Sequence, residues 1–239
     1  MVAVSVKDLT KNYGNLTAVN GISFEINEGE IFGLIGPNGA GKTTTLRIIS
    51  TIIHKTSGEV EVFGLRLGHE DDRIREIISY LPEEAGAYRN LTGKEYLNFM
   101  AGFYVKDEEE RRIVFERAVE ITELKERLKD KVSTYSKGMT RKLLLARSLM
   151  TKPKLAILDE PTVGLDVVNS IEIRKIIKDF VNKGVTVFLS SHNMLEIEFL
   201  SDRVALIDKG KILEIGKPKE LKEKFHAQNL EEVFMEVVR

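Results

Sequence analysis

The strongest chemical signal in the chain is Gly36-Pro37-Asn38-Gly39-Ala40-Gly41-Lys42-Thr43, which matches the spacing G-x-x-x-x-G-K-[ST] in full. The apolar run Ile31–Ile35 precedes it, and residues 43–50 after it read as a helix. Glycines let the backbone curl until several N–H groups point at one phosphate. The start of a helix adds partial positive charge there. Lys42 has the reach for β- and γ-phosphates, and the Thr43 hydroxyl suits Mg²⁺. The pattern predicts a nucleoside triphosphate held by residues 36–43 with Thr44 beside them, and the implied cofactors are ATP and Mg²⁺.

A second constellation follows the apolar run 155–158, which ends in Asp159-Glu160. Successive side chains on a strand point opposite ways, so adjacent carboxylates can serve different partners. Asp159 is the candidate Mg²⁺ ligand, and Glu160 the candidate base for an attacking water. His192 follows another apolar run, 185–189, and is expected near the γ-phosphate. The candidate catalytic set is therefore Lys42, Glu160 and His192. Tyr135-Ser136-Lys137-Gly138-Met139 then precedes the apolar residues Leu143, Leu144, Leu145, Ala146 and Leu149. Ser136 is a plausible N-cap and Gly138 permits close approach, so this reads as a second helix start that can face an anion.

These groups need elements to hold them. Val2, Val4 and Val6 alternate as on a half-buried strand, and so do Ile22, Phe24 and Ile26. Short strands are expected at 31–35, 60–63, 155–158 and 185–189, and a hairpin at 204–215 around Asp208-Lys209-Gly210. Residues 171–180 read as a helix. From about 71 to 150 the texture is mainly helical, with Ile113, Phe115, Ala118, Val119 and Leu124 as apolar positions. Strands alternating with helices predict an α/β core around a mainly parallel sheet. In such sheets ligands lie beyond the carboxyl ends of the strands, where Gly36, Asp159 and His192 are all expected.

Bulk properties bound the function. The 239 residues suit one large domain, or one domain with a subdomain. With no cysteine there is no disulfide framework, thiolate metal site or cysteine nucleophile. A net charge of −1 gives no support to nucleic-acid binding. Residues 1–6 show no secretory leader pattern. The stretch 184–195 is free of Asp, Glu, Lys and Arg, as is 12–24, and both are short of the about 20 residues that span a bilayer. A single glutamine, Gln228, beside abundant Lys and Glu fits a thermophilic source, or a lineage bias.

On these motifs the chain resembles the ATP-binding subunit of an ABC transporter over nearly its full length. Residues 36–43 resemble Walker A, and 155–160 resemble Walker B with its catalytic glutamate. Ser136, Lys137, Gly138 and Met139 resemble the signature, residues 161–166 with Asp166 the D-loop, and His192 the switch histidine. Tyr13 matches the aromatic that stacks on adenine, and Val19 the apolar residue beside it. The resemblance implies a P-loop NTPase core (about 1–80 and 151–220) with an N-terminal antiparallel β subdomain. It adds an inserted helical subdomain (about 84–150) and a helical tail (about 219–239), all in one ATPase domain. It also implies a homodimer or pseudo-dimer on ATP binding, with each ATP between one subunit's Walker motifs and the other's signature. Integral membrane permease subunits would be partners, and the chain would lie peripherally on the cytoplasmic face of the membrane.

Two positions depart from the family pattern. Lys137 replaces a usual glycine of the signature, and Glu83 replaces the usual glutamine of the Q-loop after Ile78-Ser79-Tyr80-Leu81-Pro82. Glu83 is still expected to ligate Mg²⁺ with Thr43 and Asp159. Such glutamates, and a tail like Asn229-Leu230-Glu231-Glu232-Val233-Phe234, resemble drug, antibiotic or sodium exporters. The leading expectation is an ATPase that powers solute transport, towards export. Tyr88, Leu91, Tyr96 and Phe99 are open to two readings, a docking face for membrane partners or subdomain core. A soluble ABC-type ATPase of regulation or assembly is the alternative. A GTP switch is set aside, because Asn182-Lys183-Gly184-Val185 lacks the aspartate of a guanine motif.

Overall fold

The alternating valines open β1 (Val2–Tyr13), which pairs antiparallel with β2 (Leu16–Asn27). The chain then enters the wholly buried β3 (Ile31–Ile35) and, past the glycine-rich loop, α1 (Lys42–Ile49). β4 (Ser57–Val62), β5 (Leu65–Arg66), α2 (Asp71–Ile77) and β6 (Ile78–Leu81) follow. Next comes the helical block: α3 (Gly93–Tyr104), α4 (Glu108–Thr122), two short 3-10 turns, and α5 (Lys137–Leu149). The chain returns through β7 (Leu155–Asp159), α6 (Val167–Val181), β8 (Thr186–Ser191), α7 (Met194–Leu200), β9 (Arg203–Asp208) and β10 (Lys211–Gly216). It closes with α8 (Pro218–Lys224) and α9 (Leu230–Val238). This computed structural model describes residues 1–238; Arg239, the last residue of the expected tail, lies outside them.

Two sheets result. The first is antiparallel, in the order β2-β1-β4-β5. The second has the order β10-β9-β3-β8-β7-β6 and is parallel except at the β9–β10 hairpin. One apolar core fills the space between the sheets around α1. There Phe24 and Phe32 stack at 5.5 Å, and Phe188 tilts against both. The other core joins the opposite face of the parallel sheet, through Ile35, Leu158 and Leu189, to Leu97, Leu144 and Ile177 of the helices. Burial on both faces explains why β3, β7 and β8 read as unbroken apolar runs rather than alternating ones.

The structure departs from the sequence reading in local ways. β6 is a strand inside the stretch read as mainly helical; its four residues are too few to show a period. On α4 the buried face is Val114, Ala118 and Ile121, spaced as one helical stripe, while Ile113 faces outward. The four residues left open divide. Tyr96 is buried and Leu91 partly so, whereas Tyr88 and Phe99 are exposed. Tyr88, Phe99 and Phe103 form edge-to-face contacts at 5.6 and 4.9 Å. α3 begins with a capping box: Glu95 N–H donates to Thr92 Oγ1 at 3.2 Å, and the Glu95 carboxylate accepts from Thr92 N–H at 2.8 Å.

Candidate nucleotide site

The glycine-rich loop lies where β3 ends, pressed against the next strand of the sheet. A Cβ on Gly36 would meet the Ile207 carbonyl oxygen at 2.0 Å, so only glycine lets the chain pass. Gly41 has φ +104, and a Cβ there would be 2.5 Å from the Ala18 carbonyl oxygen. The loop thereby curls around the start of α1 and frames a cleft of about 280 Å³. Asn38, Gly39, Ala40, Gly41, Lys42, Thr43 and Thr44 line it on one side, and Tyr13, Leu16 and Ala18 close the far end. Glu83 and Glu160 complete the lining.

Val19 is not part of this cleft, contrary to expectation; its side chain is wholly buried in the core between the sheets. The physical reason is a phase slip. Ile22, Phe24 and Ile26 alternate inward, but Gly21, at φ +64, inserts a residue, so Val19 turns inward and Ala18 faces the cleft. Tyr13 is half-exposed at the cleft mouth, with Lys11 Nζ 4.9 Å from its ring centroid.

Lys42 is buried. Its Nζ donates to the carbonyls of Gly36 (2.7 Å) and Pro37 (3.2 Å), which are the loop's own contribution to holding it. The same nitrogen is 3.6 Å from Glu160 Oε1. Burial lowers the Lys42 pKa from its ordinary value, and the Glu160 carboxylate pulls it back upward. Glu160 follows β7 directly with φ +49, a left-handed conformation uncommon for a side chain of its kind. Its Oε1 is 3.0 Å from His192 Nδ1, and its Oε2 accepts from Ser191 Oγ at 3.3 Å.

Asp159 is clamped by three hydroxyls. Thr43 Oγ1 donates to Oδ1 at 3.2 Å, Ser190 Oγ donates to Oδ1 at 2.5 Å, and Tyr80 Oη approaches Oδ2 at 3.3 Å. Ser190 Oγ also accepts from the Glu160 main-chain N–H at 3.2 Å, so one hydroxyl ties the Asp159 carboxylate to the backbone of the next residue. Burial, reinforced by the Asp159 charge, raises the Tyr80 pKa and keeps the phenol a donor. Parallel pairing puts Asp159 level with Ser190 and Ile35 level with Ser191, which sets all these groups at one sheet edge.

The remaining expected residues lie elsewhere. Ser136 caps α5 by accepting from Met139 N–H at 3.2 Å. Lys137 lies over Gly164, and Gly138 packs against the Asn169 side chain. Asp166 caps α6 through Asn169 N–H at 2.9 Å. Ser136, Lys137, Gly138 and Met139 do not line the cleft, so the second helix start is not brought to the first within this chain. The sequence reading had no signal for Tyr80, Ser190 or Arg141. Arg141 leaves α5 inward, and its Nη2 donates to the Glu83 carbonyl at 3.1 Å.

The residues present suit a magnesium nucleotide. The Gly36 and Gly41 cradle would be filled by any Cβ, and Thr43 and Asp159 converge beside it. No group of three or more His, Cys, Asp or Glu residues that could hold a metal occurs among the described residues. Mg²⁺ takes one or two carboxylates and completes its shell with phosphates and water, and the Thr43–Asp159 pair is of that kind.

Comparison with known proteins then decides the family. The family model described as ABC transporter matches residues 19–163. This chain belongs to the ABC transporter family. The linearmycin resistance ATP-binding protein LnrL of Bacillus subtilis is 41% identical over 221 residues, spanning 91% of this cassette and 70% of that protein. The bacitracin transport ATP-binding protein BcrA of Bacillus licheniformis is 38% identical over 215 residues, 88% and 68% of the two chains. Among solved structures, a dimeric post-hydrolysis state of the ATP-binding cassette MJ0796 bound to ADP and Pi matches with TM-score 0.78. It is 27% identical and covers 90% of this chain and 98% of that one. The cassette is thus an ATP-binding and ATP-hydrolysing subunit of a transporter, and its P-loop α/β fold is that of the family. No helix among the described residues is long and apolar enough to cross a membrane.

Proposed function

We propose that this cassette hydrolyses magnesium ATP at the cleft between loop 36–43 and β7, and drives export through separate membrane-spanning subunits. The observation that carries the reading is the convergence of Lys42, Glu160 and His192 on one side of the cleft, with Thr43 and Asp159 behind them. Tyr13, Leu16 and Ala18 form an apolar end that suits adenine. Lys42 binds the β- and γ-phosphates. Thr43 and Asp159, with Glu83 across the cleft, would hold Mg²⁺, which when bound offsets phosphate charge and orients its oxygens.

Glu160 takes the proton of the attacking water as the new P–O bond forms and the bond to the ADP leaving oxygen breaks. His192, with Nδ1 facing Glu160 Oε1, steadies that carboxylate beside the phosphates. Ser136, Lys137, Gly138 and Met139 would meet the nucleotide of a second copy, giving two composite sites per dimer. Support for export comes from the relatives named for linearmycin resistance and bacitracin transport. The exposed aromatics Tyr88, Phe99, Phe103 and Tyr104 form a face that suits a membrane subunit, which would hold the cassette at the cytoplasmic surface.

The test is Glu160→Gln. A loss of turnover of about 10²–10⁴-fold with nucleotide binding retained is expected, together with an ATP-dependent dimer in size-exclusion chromatography. Near-wild-type hydrolysis would remove Glu160 from the mechanism.

A further inference from the structure

Three basic side chains leave the first turns of α5. Two have a plain structural account: Lys137 lies over Gly164, and Lys142 pairs with Glu172 at 2.7 Å. Arg141 differs. It is 6% exposed, its Nη2 donates to the Glu83 carbonyl, and its Nη1 is buried with no hydrogen-bond partner. A stranded N–H on a buried cation is unfavourable, and an apolar residue of similar volume would fill the space without that cost. The carboxylates acting on it are, in falling order, Glu83, Asp159 and Glu160. They oppose the lowering of the guanidinium pKa by burial.

Glu83 is the other half of the problem. It lines the cleft beside Lys42 and Glu160 and adds a carboxylate to a site that must accept a polyanion. Among the cleft-lining residues only Lys42 is a cation. Arg141 reaches the same segment from behind and is the second positive charge directed at it.

We propose that Arg141 is the positioning residue and counter-charge of Glu83. Nη2 pins the Glu83 main chain, and the buried Nη1 is the seat for the Glu83 carboxylate when it turns from the cleft. The inference rests on the cleft being the nucleotide site. It explains how a carboxylate is tolerated where the family's usual residue is neutral: the charge is matched by a guanidinium fixed on α5. Because α5 begins at Ser136, the same side chain ties the Glu83 loop to the signature turn.

The test is a double-mutant cycle on the full chain with E83Q, R141Q and E83Q/R141Q. The main readout is affinity for a fluorescent ATP derivative with metal chelated, beside thermal melting and steady-state ATPase. R141Q is expected to weaken metal-free nucleotide binding about tenfold, because Glu83 then faces the phosphates uncompensated. In the E83Q background the same change is expected to cost less than about threefold, and in the Glu83 background KM should rise more than kcat falls. An R141Q chain that fails to fold while E83Q/R141Q folds and binds also supports the pairing. Equal losses in both backgrounds, unfolding in both, or no loss in either would overturn it and leave Arg141 a prop for α5. Failure of the site reading looks different: the wild-type chain would bind no nucleotide, or K42A would bind as well as wild type.

Discussion

Gly36→Ala tests how the loop is built. The added carbon would be 2.0 Å from the Ile207 carbonyl oxygen and 3.1 Å from Ile207 Cγ2. An ordinary C···O contact is about 3.3 Å, so some 1.3 Å must be absorbed. β9 cannot absorb it, because Leu206 pairs with Ile35 on one side and Ile207 with Ile212 on the other. The loop must move instead, and with it the Gly36 carbonyl that accepts from Lys42 Nζ at 2.7 Å. A displacement of about 1 Å at a positioned catalytic group costs on the order of 10²-fold in rate. Overpacking adds about 1–3 kcal/mol of destabilisation, or a melting temperature lower by about 3–10 °C for a chain of this size. Steady-state ATPase assays with thermal melting check both numbers. Wild-type kcat/KM together with an unshifted melting temperature would refute the claim that the close approach to β9 sets the loop.

Three further outcomes are expected. Tyr80→Phe removes a long hydrogen bond to Asp159 Oδ2, so the Mg²⁺ dependence of ATPase activity should weaken about fivefold, about 1 kcal/mol; an unchanged metal titration would remove Tyr80 from the clamp. Tyr13→Ala should raise KM for ATP about tenfold through lost stacking, whereas Val19→Ala should leave KM alone and destabilise the fold by about 2 kcal/mol; kinetics paired with melting separate the two. Two bonds from Thr92 hold the Glu95 carboxylate below its ordinary pKa, so its stabilisation is present above the ordinary carboxylate range and disappears as pH falls through the depressed value. The melting-temperature gap between wild type and Glu95→Ala should therefore be open at neutral pH and shrink in acid.

The legible parts of the site are those whose chemistry is local in the chain. Residues 36–43 carry their own spacing, and Asp159-Glu160 and His192 announce themselves by following apolar runs. Tyr80, Ser190 and Arg141 do not, because each meets its partner only after folding: Tyr80 lies 79 residues from Asp159, and Arg141 lies 58 from Glu83. Their positions are decided by strand register and by the face of α5 that packs on β6, neither of which leaves a motif. Val19 is matched to the adenine end by resemblance, and its inward turn is equally invisible in the chain. Alternation predicts a face only until a bulge shifts the phase, and Gly21 gives no warning of its conformation in one sequence. The short β6 leaves no period of its own, because four residues carry too little pattern to outweigh the helical texture on either side.

Among the described residues β6 is the last strand of the parallel sheet and pairs there with β7 alone. The helical block therefore joins the sheet along this margin as well as through the core it shares with Ile35, Leu158 and Leu189. A displacement of the block would thus be transmitted to the strands that carry the site, and the Glu83 segment just beyond β6 is where it would first be felt at the cleft.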